Sequence, residues 1–416
     1  MQKKTLEQNI KNFIRQFKLN IALIMKRLIP LLLHLATILI INYSCNNNRI
    51  EQKNISVVDN INKSSLLILS DYAESIEYIP LETTDIALLT GDERIEFNAN
   101  HFIVFAQECY IFKRNGYFLK KIGKVGRGPN EYSSARSGYY FPGDSLLFFN
   151  DPSRRGLISY SIKGSFMKNS MLNRDFLMIR SISDSLFAGY RAFIQGDSDW
   201  NTLIVNCKGD SVSSIPNKYH FEGNSNMYFN HEVVMYYFNC TLHIKEMYSD
   251  TIFSFNDKGI HTPKYILELG NLNIPQDIRN WDFERFRNSI GRDFFFVNEI
   301  YETDKYLVFK YNHDNKRNNL MIFNKQTGEI DNFPENERSG GINNDVDGGP
   351  NFIPEHNDNN IFLQKINAFE LKTHVESEAF KNSTPKYPEK KKELEELAAT
   401  LDENDNPVLM LVKLKD

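Results

Sequence analysis

Apolar and polar positions alternate in short runs along most of the chain, and one unit of this pattern recurs. Each copy has an apolar run, a few polar residues, usually with a glycine, and a second run. Runs rich in β-branched and aromatic residues and bounded by Asn, Asp and Gly predict β-strands. The six copies begin at Tyr110, Leu157, Thr202, Thr251, Leu320 and Pro407.

The glycines in these turns give the repeat its period. Gly supplies the positive φ that a tight hairpin needs. The turn glycines are separated by 48, 45, 50 and 69 residues, and the first three spacings lie in the range of a four-stranded propeller blade. They are Gly116, Gly164, Gly209, Gly259 and Gly328. Further strand-like runs precede the copies, such as 94–97 and 101–106 before the first. Residues 65–416 are therefore predicted to form an all-β, six-bladed β-propeller with four antiparallel strands per blade.

The two ends of this pattern complement each other. The sixth copy stops at Asp416 after its third strand, and an unpaired strand, "SIEYIPLE" at 75–82, precedes the first blade. A ring closed by this N-terminal strand leaves no exposed sheet edge, which favours closure of blade six in this way.

Two insertions have helical patterns. Residues 275–291 begin with Pro, end with Gly and carry apolar side chains near one face. Residues 388–401 begin with Pro and form an apolar stripe. Both are expected to pack against the rim of the ring.

The amino end is typical of a targeting segment. Lys26 and Arg27 precede an apolar run at 28–41, which is too short for a good membrane span, and "NYSC" then ends at Cys45. Met25 is the more probable start, with residues 1–24 an upstream extension. The segment 1–45 is similar to a bacterial lipoprotein signal, which implies a lipid on Cys45 and attachment to a membrane. An ordinary signal peptide with a chance cysteine is the alternative.

The residues around Cys45 refine this prediction. Ser44 fits the lipoprotein pattern, whereas Tyr43 and Asn42 match it poorly. By analogy with lipoproteins, Asn46 after the cysteine favours the outer membrane, facing either the periplasm or the exterior. The polar, Asn-rich segment 46–64 is expected to be a tether.

The amino-acid composition limits the classes of molecule that the protein is expected to bind. The 41% hydrophobic content supplies a large core. Without residues 1–44 the chain has 42 Lys and Arg against 52 Asp and Glu, a net charge of −10. An acidic surface argues against nucleic acid as a partner. The spacing of Cys109, Cys207 and Cys240 shows no metal-binding pattern, so buried small hydrophobic side chains are expected, and one disulfide stays possible.

Four stretches carry a resemblance to a known family. They start at Ile76, Tyr110, Asn344 and Asn406 and read "IEYIPLETT", "YIFKRNGYFLKKIGKVGRGPNEY", "NDVDGGPNFIP" and "NPVLMLVKLK". With them the chain resembles the six-bladed β-propeller lipoproteins of Bacteroidota-type bacteria, which have NHL-like blades. The resemblance covers roughly residues 65–416 and implies the fold. It implies no common activity.

The glycine-rich loop "GKVGRGPNEY" at 123–132 raises the question of anion binding. A phosphate loop must be followed by a helix, but Pro129 and a predicted strand follow this loop. A corner between blades one and two is the simpler interpretation. Lys124 and Arg127 are candidate ligand contacts at this corner.

The run "NNDVDGGPN" resembles the start of a calcium loop. Asn343, Asp345 and Asp347 alternate before Gly348, but the acid due at the twelfth position is missing. Calcium is therefore a weak hypothesis, with a polar turn as the alternative. If the inner strand of blade six starts at this run, Asp345 and Asp347 lie near the mouth of the central channel, where they are candidate ligand-binding residues.

The function predicted from these features is binding. No G-x-S-x-G, H-E-x-x-H or S-x-x-K motif occurs, so no catalytic residue is assigned. A cell-envelope lipoprotein that binds a glycan or an envelope protein on its propeller, without a cofactor, fits best. The alternative is a propeller-type hydrolase or lyase with carboxylates at the channel mouth, with or without calcium.

Overall fold

The computed structural model describes residues 52–151, 154–192, 195–223, 225, 231–334 and 340–415. Cys45 and the predicted signal lie outside the described residues. None of the helices in the described part of the chain has the length and apolar character needed to cross a membrane.

The described chain consists mainly of short strands. In chain order they are β1 (Lys53–Ser56), β2 (Ala73–Pro80), β3 (Arg94–Phe97), β4 (His101–Phe105), β5 (Cys109–Lys113), β6 (Phe118–Ile122), β7 (Tyr139–Phe141), β8 (Leu146–Asp151), β9 (Gly156–Ser161), β10 (Phe166–Met171), β11 (Met178–Ser181), β12 (Leu186–Tyr190), β13 (Trp200–Asn206), β14 (Ser211–Pro216), β15 (Val233–Phe238), β16 (Thr241–Glu246), β17 (Thr251–Phe255), β18 (His261–Glu268), β19 (Phe296–Glu302), β20 (Tyr306–His313), β21 (Lys316–Asn324), β22 (Ile330–Phe333), β23 (His356–Asp358), β24 (Ile361–Ile366) and β25 (Val408–Leu414).

These strands form six antiparallel blades, as the repeat predicts. Blades one to five are β3–β6, β7–β10, β11–β14, β15–β18 and β19–β22, and blade six is β23–β24–β25–β2. Strands β3, β7, β11, β15, β19 and β23 come first in their blades and surround the central channel. Seven clusters of buried side chains, most of them between neighbouring blades, form the core.

The predicted closure is confirmed. Strand β2 pairs antiparallel with β25, from Ala73 opposite Leu414 to Pro80 opposite Val408. The turn glycine of blade one, Gly116, has a φ of +87°, and a Cβ there would strike the carbonyl oxygen of Pro80. The first hairpin therefore packs directly against the closing strand, so both ends of the chain complete one ring.

The segment predicted to be a tether differs from expectation where the structure describes it. Strand β1 pairs parallel with β18 and adds a fifth strand to blade four. Ile55 and Val57 are fully buried, and Ile61 is nearly so, between blades four and five. The prediction of a polar tether is therefore wrong for residues 53–61. The segment contains many Asn residues, but burial of its three apolar side chains is enough to hold it against the propeller.

The helices are α1 (Leu69–Tyr72), α2 (Phe283–Ile290), α3 (Ala368–Glu376), α4 (Glu378–Lys381) and α5 (Pro388–Thr400). The helix predicted at 388–401 is α5. The helix predicted at 275–291 is divided into a 3-10 turn, Gln276–Asn280, and α2. The division arises because Asp282 is extended, and its side chain accepts a hydrogen bond of 2.9 Å from the backbone N–H of Arg285. Such a cap starts a new helix.

Strand direction places the insertions on one face. In an antiparallel blade, the connection from the second to the third strand and the connection to the next blade emerge on the same side. The α2 insertion joins blades four and five, and α3–α5 join β24 to β25. Both insertions therefore rise from the same face of the ring.

Candidate functional site

The central channel holds a cavity of about 720 Å³ lined by all six blades. Its wall combines charged, amide and aromatic side chains. Those that matter most are Arg94, Glu96, Arg180, Tyr236, Glu299 and His356. A cavity of this size is typical of sites for small ligands.

The pleat of the innermost strands directs these side chains to the channel. Successive side chains of a strand point to opposite faces. In β3, Ile95 and Phe97 pack in the core between blades six and one, while Arg94 and Glu96 line the cavity. The alternation of "RIEF" is the one sequence signal that could have revealed this position, because two charges stand in an otherwise apolar strand.

Arg94 and Glu96 neutralise each other. The Arg94 Nε atom lies 3.2 Å from Glu96 Oε1. Glu96 also accepts a 3.0 Å hydrogen bond from the backbone N–H of Tyr140, and Arg94 donates to the carbonyl oxygen of Gly138. This pair therefore fastens blade one to blade two at the channel wall.

Arg180, on β11 of blade three, is held differently. Its guanidinium carbon lies 4.6 Å from the ring centre of Tyr139, and its Nη1 donates to the carbonyl oxygen of Ile179 at 2.9 Å. Tyr139 is fully buried and its hydroxyl lies 3.0 Å from Ser181 Oγ. No carboxylate in the described part of the chain forms an ion pair with Arg180. The channel therefore contains a guanidinium with unused donors.

His356 lies on blade six, opposite blade three. Its ring packs edge-on against Phe97 with the ring centres 5.5 Å apart, and no described residue forms a hydrogen bond with its imidazole. Burial lowers the pKa of His356; the carboxylates of Glu96 and Glu299 oppose this shift, and the charges of Arg94 and Arg180 add to it. At neutral pH the imidazole is therefore neutral, with one donor and one acceptor nitrogen.

Carboxylates occupy the wall at blades five and six. Glu299 lies 3.5 Å from the Nζ atom of Lys310 and accepts a hydrogen bond from Tyr301. Burial raises the pKa of Glu355, although the ammonium groups of Lys365 and Lys310 oppose this shift. The wall therefore carries carboxylates at blades one, five and six and the guanidinium of Arg180 at blade three.

Asp345 and Asp347 lie elsewhere than predicted. Asp345 accepts hydrogen bonds from the backbone N–H and the hydroxyl of Ser70, at 2.9 and 2.6 Å. Asp347 is buried and accepts from Asn344 Nδ2 at 2.7 Å and from the hydroxyl of Tyr78, on the outermost strand of blade six, at 3.3 Å. Both carboxylates therefore anchor a loop at the outer rim. The predicted position at the channel mouth is wrong, because the inner strand starts only at His356.

The third candidate calcium ligand is also at the rim. Asn343 is exposed, and its backbone pairs with Leu67 and Leu69. Among the described residues, no group of three or more His, Cys, Asp or Glu side chains could hold a metal ion. The Asp345 and Asp347 carboxylates are instead satisfied by protein donors.

The glycine-rich loop binds one of its own side chains. Glu131 Oε2 accepts a hydrogen bond of 2.8 Å from the backbone N–H of Gly128, and Glu131 Oε1 lies 3.2 Å from Lys124 Nζ. These two contacts lower the pKa of Glu131. Arg154 donates to the carbonyl oxygen of Gly128 at 2.8 Å. The loop is therefore an inter-blade corner whose backbone N–H and Lys124 bind the carboxylate of Glu131 from the same loop. Arg127, also in this loop, is exposed.

The three described cysteines are free. Cys109 is buried, as expected, and burial raises its pKa strongly. Cys207 is half-buried and Cys240 is exposed, so the expectation of buried side chains is wrong for Cys240. Cys240 follows Asn239 in the hairpin between β15 and β16, and both have positive φ, the conformation of a two-residue turn.

Six four-stranded blades around a polar, aromatic-lined channel define a β-propeller with a central cavity. The chain belongs to the family described as "Domain of unknown function (DUF4934)", whose model matches residues 52–413. This agrees with the fold and the family type expected from the quoted stretches. The lipoprotein character and the NHL-like nature of the blades stay predictions.

Two solved structures are similar to the chain. A protein of Bacteroides fragilis NCTC 9343 that is described as exported has 16% sequence identity and a TM-score of 0.64, with 88% of this chain and 99% of that protein covered. A DUF4221 family member from Bacteroides vulgatus has 11% identity and a TM-score of 0.48, with 82% and 97% covered. No curated protein matches the sequence. At such identities the likeness establishes the fold alone.

Proposed function

We propose that this protein is a cell-envelope propeller that binds a small polar ligand, a saccharide, in its central channel. The observation that carries the proposal is the 720 Å³ cavity whose wall is contributed by every blade. Ligand sites of 300–1,000 Å³ that combine aromatic surface with a few polar groups are common in proteins.

The chemistry of the wall supports a saccharide. Tyr236, Phe238 and Tyr301 bring aromatic rings to the cavity, and its wall also holds amide and charged groups. Sugars present apolar C–H faces together with hydroxyl groups, so they need both kinds of contact. Aromatic side chains with a polar tip serve both needs.

The channel can be closed by one substitution. Met178 is a half-buried residue of β11 that lines the cavity. Met178→Trp adds an indole to the lumen, and we expect it to abolish saccharide binding measured by isothermal titration calorimetry. Val212→Trp, on the exposed edge of blade three, is the matched control and should bind as the wild type does. Equal binding by both variants would place the ligand outside the channel.

Attachment to the envelope rests on the sequence around Cys45. A lipid on this cysteine would tether the propeller to a membrane, and the outer membrane is the favoured location. Cys45→Ser in the full-length chain is expected to move the protein from the membrane fraction to the soluble fraction. Cys240→Ser makes the same change at an exposed cysteine of the propeller and is the control. Unchanged membrane association of Cys45→Ser would contradict lipidation at this residue.

A further inference from the structure

The cations of the channel wall fall into two groups. Arg94 is 3.2 Å from Glu96, and Lys310 is 3.5 Å from Glu299, so each has an anionic partner within the protein. Arg180 has no such partner among the described residues. A half-buried charge without a partner is costly. Arg180 therefore stands out as the cation of this wall that has no anionic partner in the described part of the chain.

Arg180 is also pre-oriented. The Tyr139 ring lies beneath the guanidinium at 4.6 Å, and the Nη1 atom is bonded to the carbonyl oxygen of Ile179. Tyr139 cannot move easily, because it is fully buried and its hydroxyl contacts Ser181. A guanidinium has five donors, and one of them, on Nη1, bonds to a described residue. Little conformational entropy is therefore lost when an anion binds to the others.

The charge around Arg180 selects among anions. Glu96, Glu299 and Glu355 line the same cavity, so a ligand with two negative charges would meet repulsion. A single carboxylate carries one charge and matches the planar fork of a guanidinium. The neutral imidazole of His356, on the opposite blade, can donate to or accept from the hydroxyl groups of the same ligand.

We infer that Arg180 binds a carboxylate of the channel ligand and that the ligand is therefore an acidic saccharide, of the uronic acid type. This inference rests on the proposed function, because it requires the ligand to occupy the channel. It adds two points to that function: Arg180 determines the specificity, and the ligand carries a negative charge.

The test compares a sugar acid that carries one negative charge with its neutral ester. Galacturonate and its methyl ester are titrated into the purified protein by calorimetry. A charge-assisted contact contributes about 1.5–3 kcal/mol, so the wild type is expected to bind the acid roughly tenfold to a hundredfold more tightly than the ester. Arg180→Gln should remove this preference and leave the affinity for the ester unchanged. Arg180→Lys should keep part of it, because the charge stays and the fork is lost.

The control is a second arginine of the same chain. Arg317 is exposed on β21, and Arg317→Gln makes the same change of charge away from the channel. It should retain the full preference for the acid. Thermal midpoints of all variants establish that each one folds.

The possible failures are distinguishable. Equal affinity for acid and ester in the wild type, or an acid preference that survives Arg180→Gln, would overturn the role of Arg180. The proposed function would still stand if Met178→Trp abolished binding of both sugars. Binding of neither sugar by the wild type would overturn the inference and the saccharide proposal together.

Discussion

The guanidinium of Arg180 on blade three lies over the ring of Tyr139 on blade two, with the guanidinium carbon 4.6 Å from the ring centre. Neighbouring blades thus meet at the channel through a cation–π contact, an arrangement that stabilises by about 0.5–2 kcal/mol. Tyr139 belongs to the core, whereas the guanidinium of Arg180 faces the cavity.

This contact predicts different effects of two substitutions at Tyr139. Tyr139→Phe keeps the ring and loses only the contact with Ser181, so we expect a loss of about 1 kcal/mol in the free energy of unfolding and an unchanged ligand affinity. Tyr139→Leu removes the ring beneath Arg180 and should also weaken binding of the acidic sugar. Urea denaturation and calorimetry measure the two effects. Equal ligand affinities in the two variants would show that the ring does not orient Arg180.

Closure of the ring predicts a large effect at Ile79. This side chain of β2 is buried against Leu411 and pairs with Leu409 of β25. Ile79→Ala should lower the free energy of unfolding by about 2–5 kcal/mol. Ile86→Ala, at a residue that is 60% exposed, should change it by less than about 0.5 kcal/mol. Similar denaturation midpoints for the two variants would argue against packing of β2 on blade six.

A buried ion pair attaches the α2 insertion to blade four. Arg279 Nη2 lies 2.6 Å from Glu232 Oε1, and both side chains are fully buried. Arg279→Met removes the cation that faces the buried carboxylate of Glu232, and we expect a loss of about 3–5 kcal/mol. The double variant with Glu232→Leu should lose less than the sum of the single losses, which a double-mutant cycle in urea would measure. Strict additivity would mean that the two side chains do not interact.

Glu246 predicts a pH dependence of stability. Burial raises its pKa to about 7, and its Oε1 accepts a hydrogen bond of 2.5 Å from Thr202. Because the folded pKa lies above the unfolded value near 4.5, the folded state holds a proton that the unfolded state releases. The stability contributed by this group is complete below about pH 4.5 and is lost as the pH rises through about 7.

The matching variant is Glu246→Gln, which keeps an acceptor for Thr202 and does not ionise. Relative to the wild type, it should gain on the order of 3 kcal/mol between pH 4.5 and pH 8. Glu395→Gln, at an exposed glutamate of α5, should show no such gain. Urea denaturation at both pH values measures the difference. A constant difference between Glu246→Gln and the wild type would show that Glu246 does not titrate in this range.

The rim carboxylate Asp345 predicts a loss of stability without a loss of binding. Its two hydrogen bonds hold Ser70 at the start of α1. Asp345→Ala should cost about 1–2 kcal/mol in the free energy of unfolding, the range of a lost helix cap. The affinity for the channel ligand should stay unchanged in calorimetry. Loss of affinity in a folded Asp345→Ala variant would return this residue to the binding site.

The strands were the most predictable part of the structure. Period-two alternation and turn glycines are local features, so hairpins such as the one around Gly116 follow from neighbouring residues alone. Counting them also revealed that blade six lacks a strand, and the strand at 75–82 was the one left over. Helix α5 was predictable for the same reason, because its Pro start and apolar stripe lie within fourteen residues.

The residues of the channel wall were not predictable from the sequence, because they come from distant parts of the chain. Arg94, Arg180 and His356 stand on three different blades, and no spacing along the sequence brings them together. The predicted site residues were instead taken from short polar motifs. In the structure, Asp345 accepts hydrogen bonds from Ser70, and Lys124 forms an ion pair with Glu131.

The sequence by itself therefore determined the number of blades, their strands and the closure of the ring, since all of these follow from local patterns and a count. The tertiary structure alone decided that residues 53–56 add a strand to blade four, because that depends on an edge more than 200 residues away. It also decided which charged side chains meet in the channel, where Arg180 has no carboxylate partner among the described residues. How far a side chain lies from the centre of the ring, and which distant charge it meets, depend on how the blades pack together. The sequence of a single strand does not contain this information.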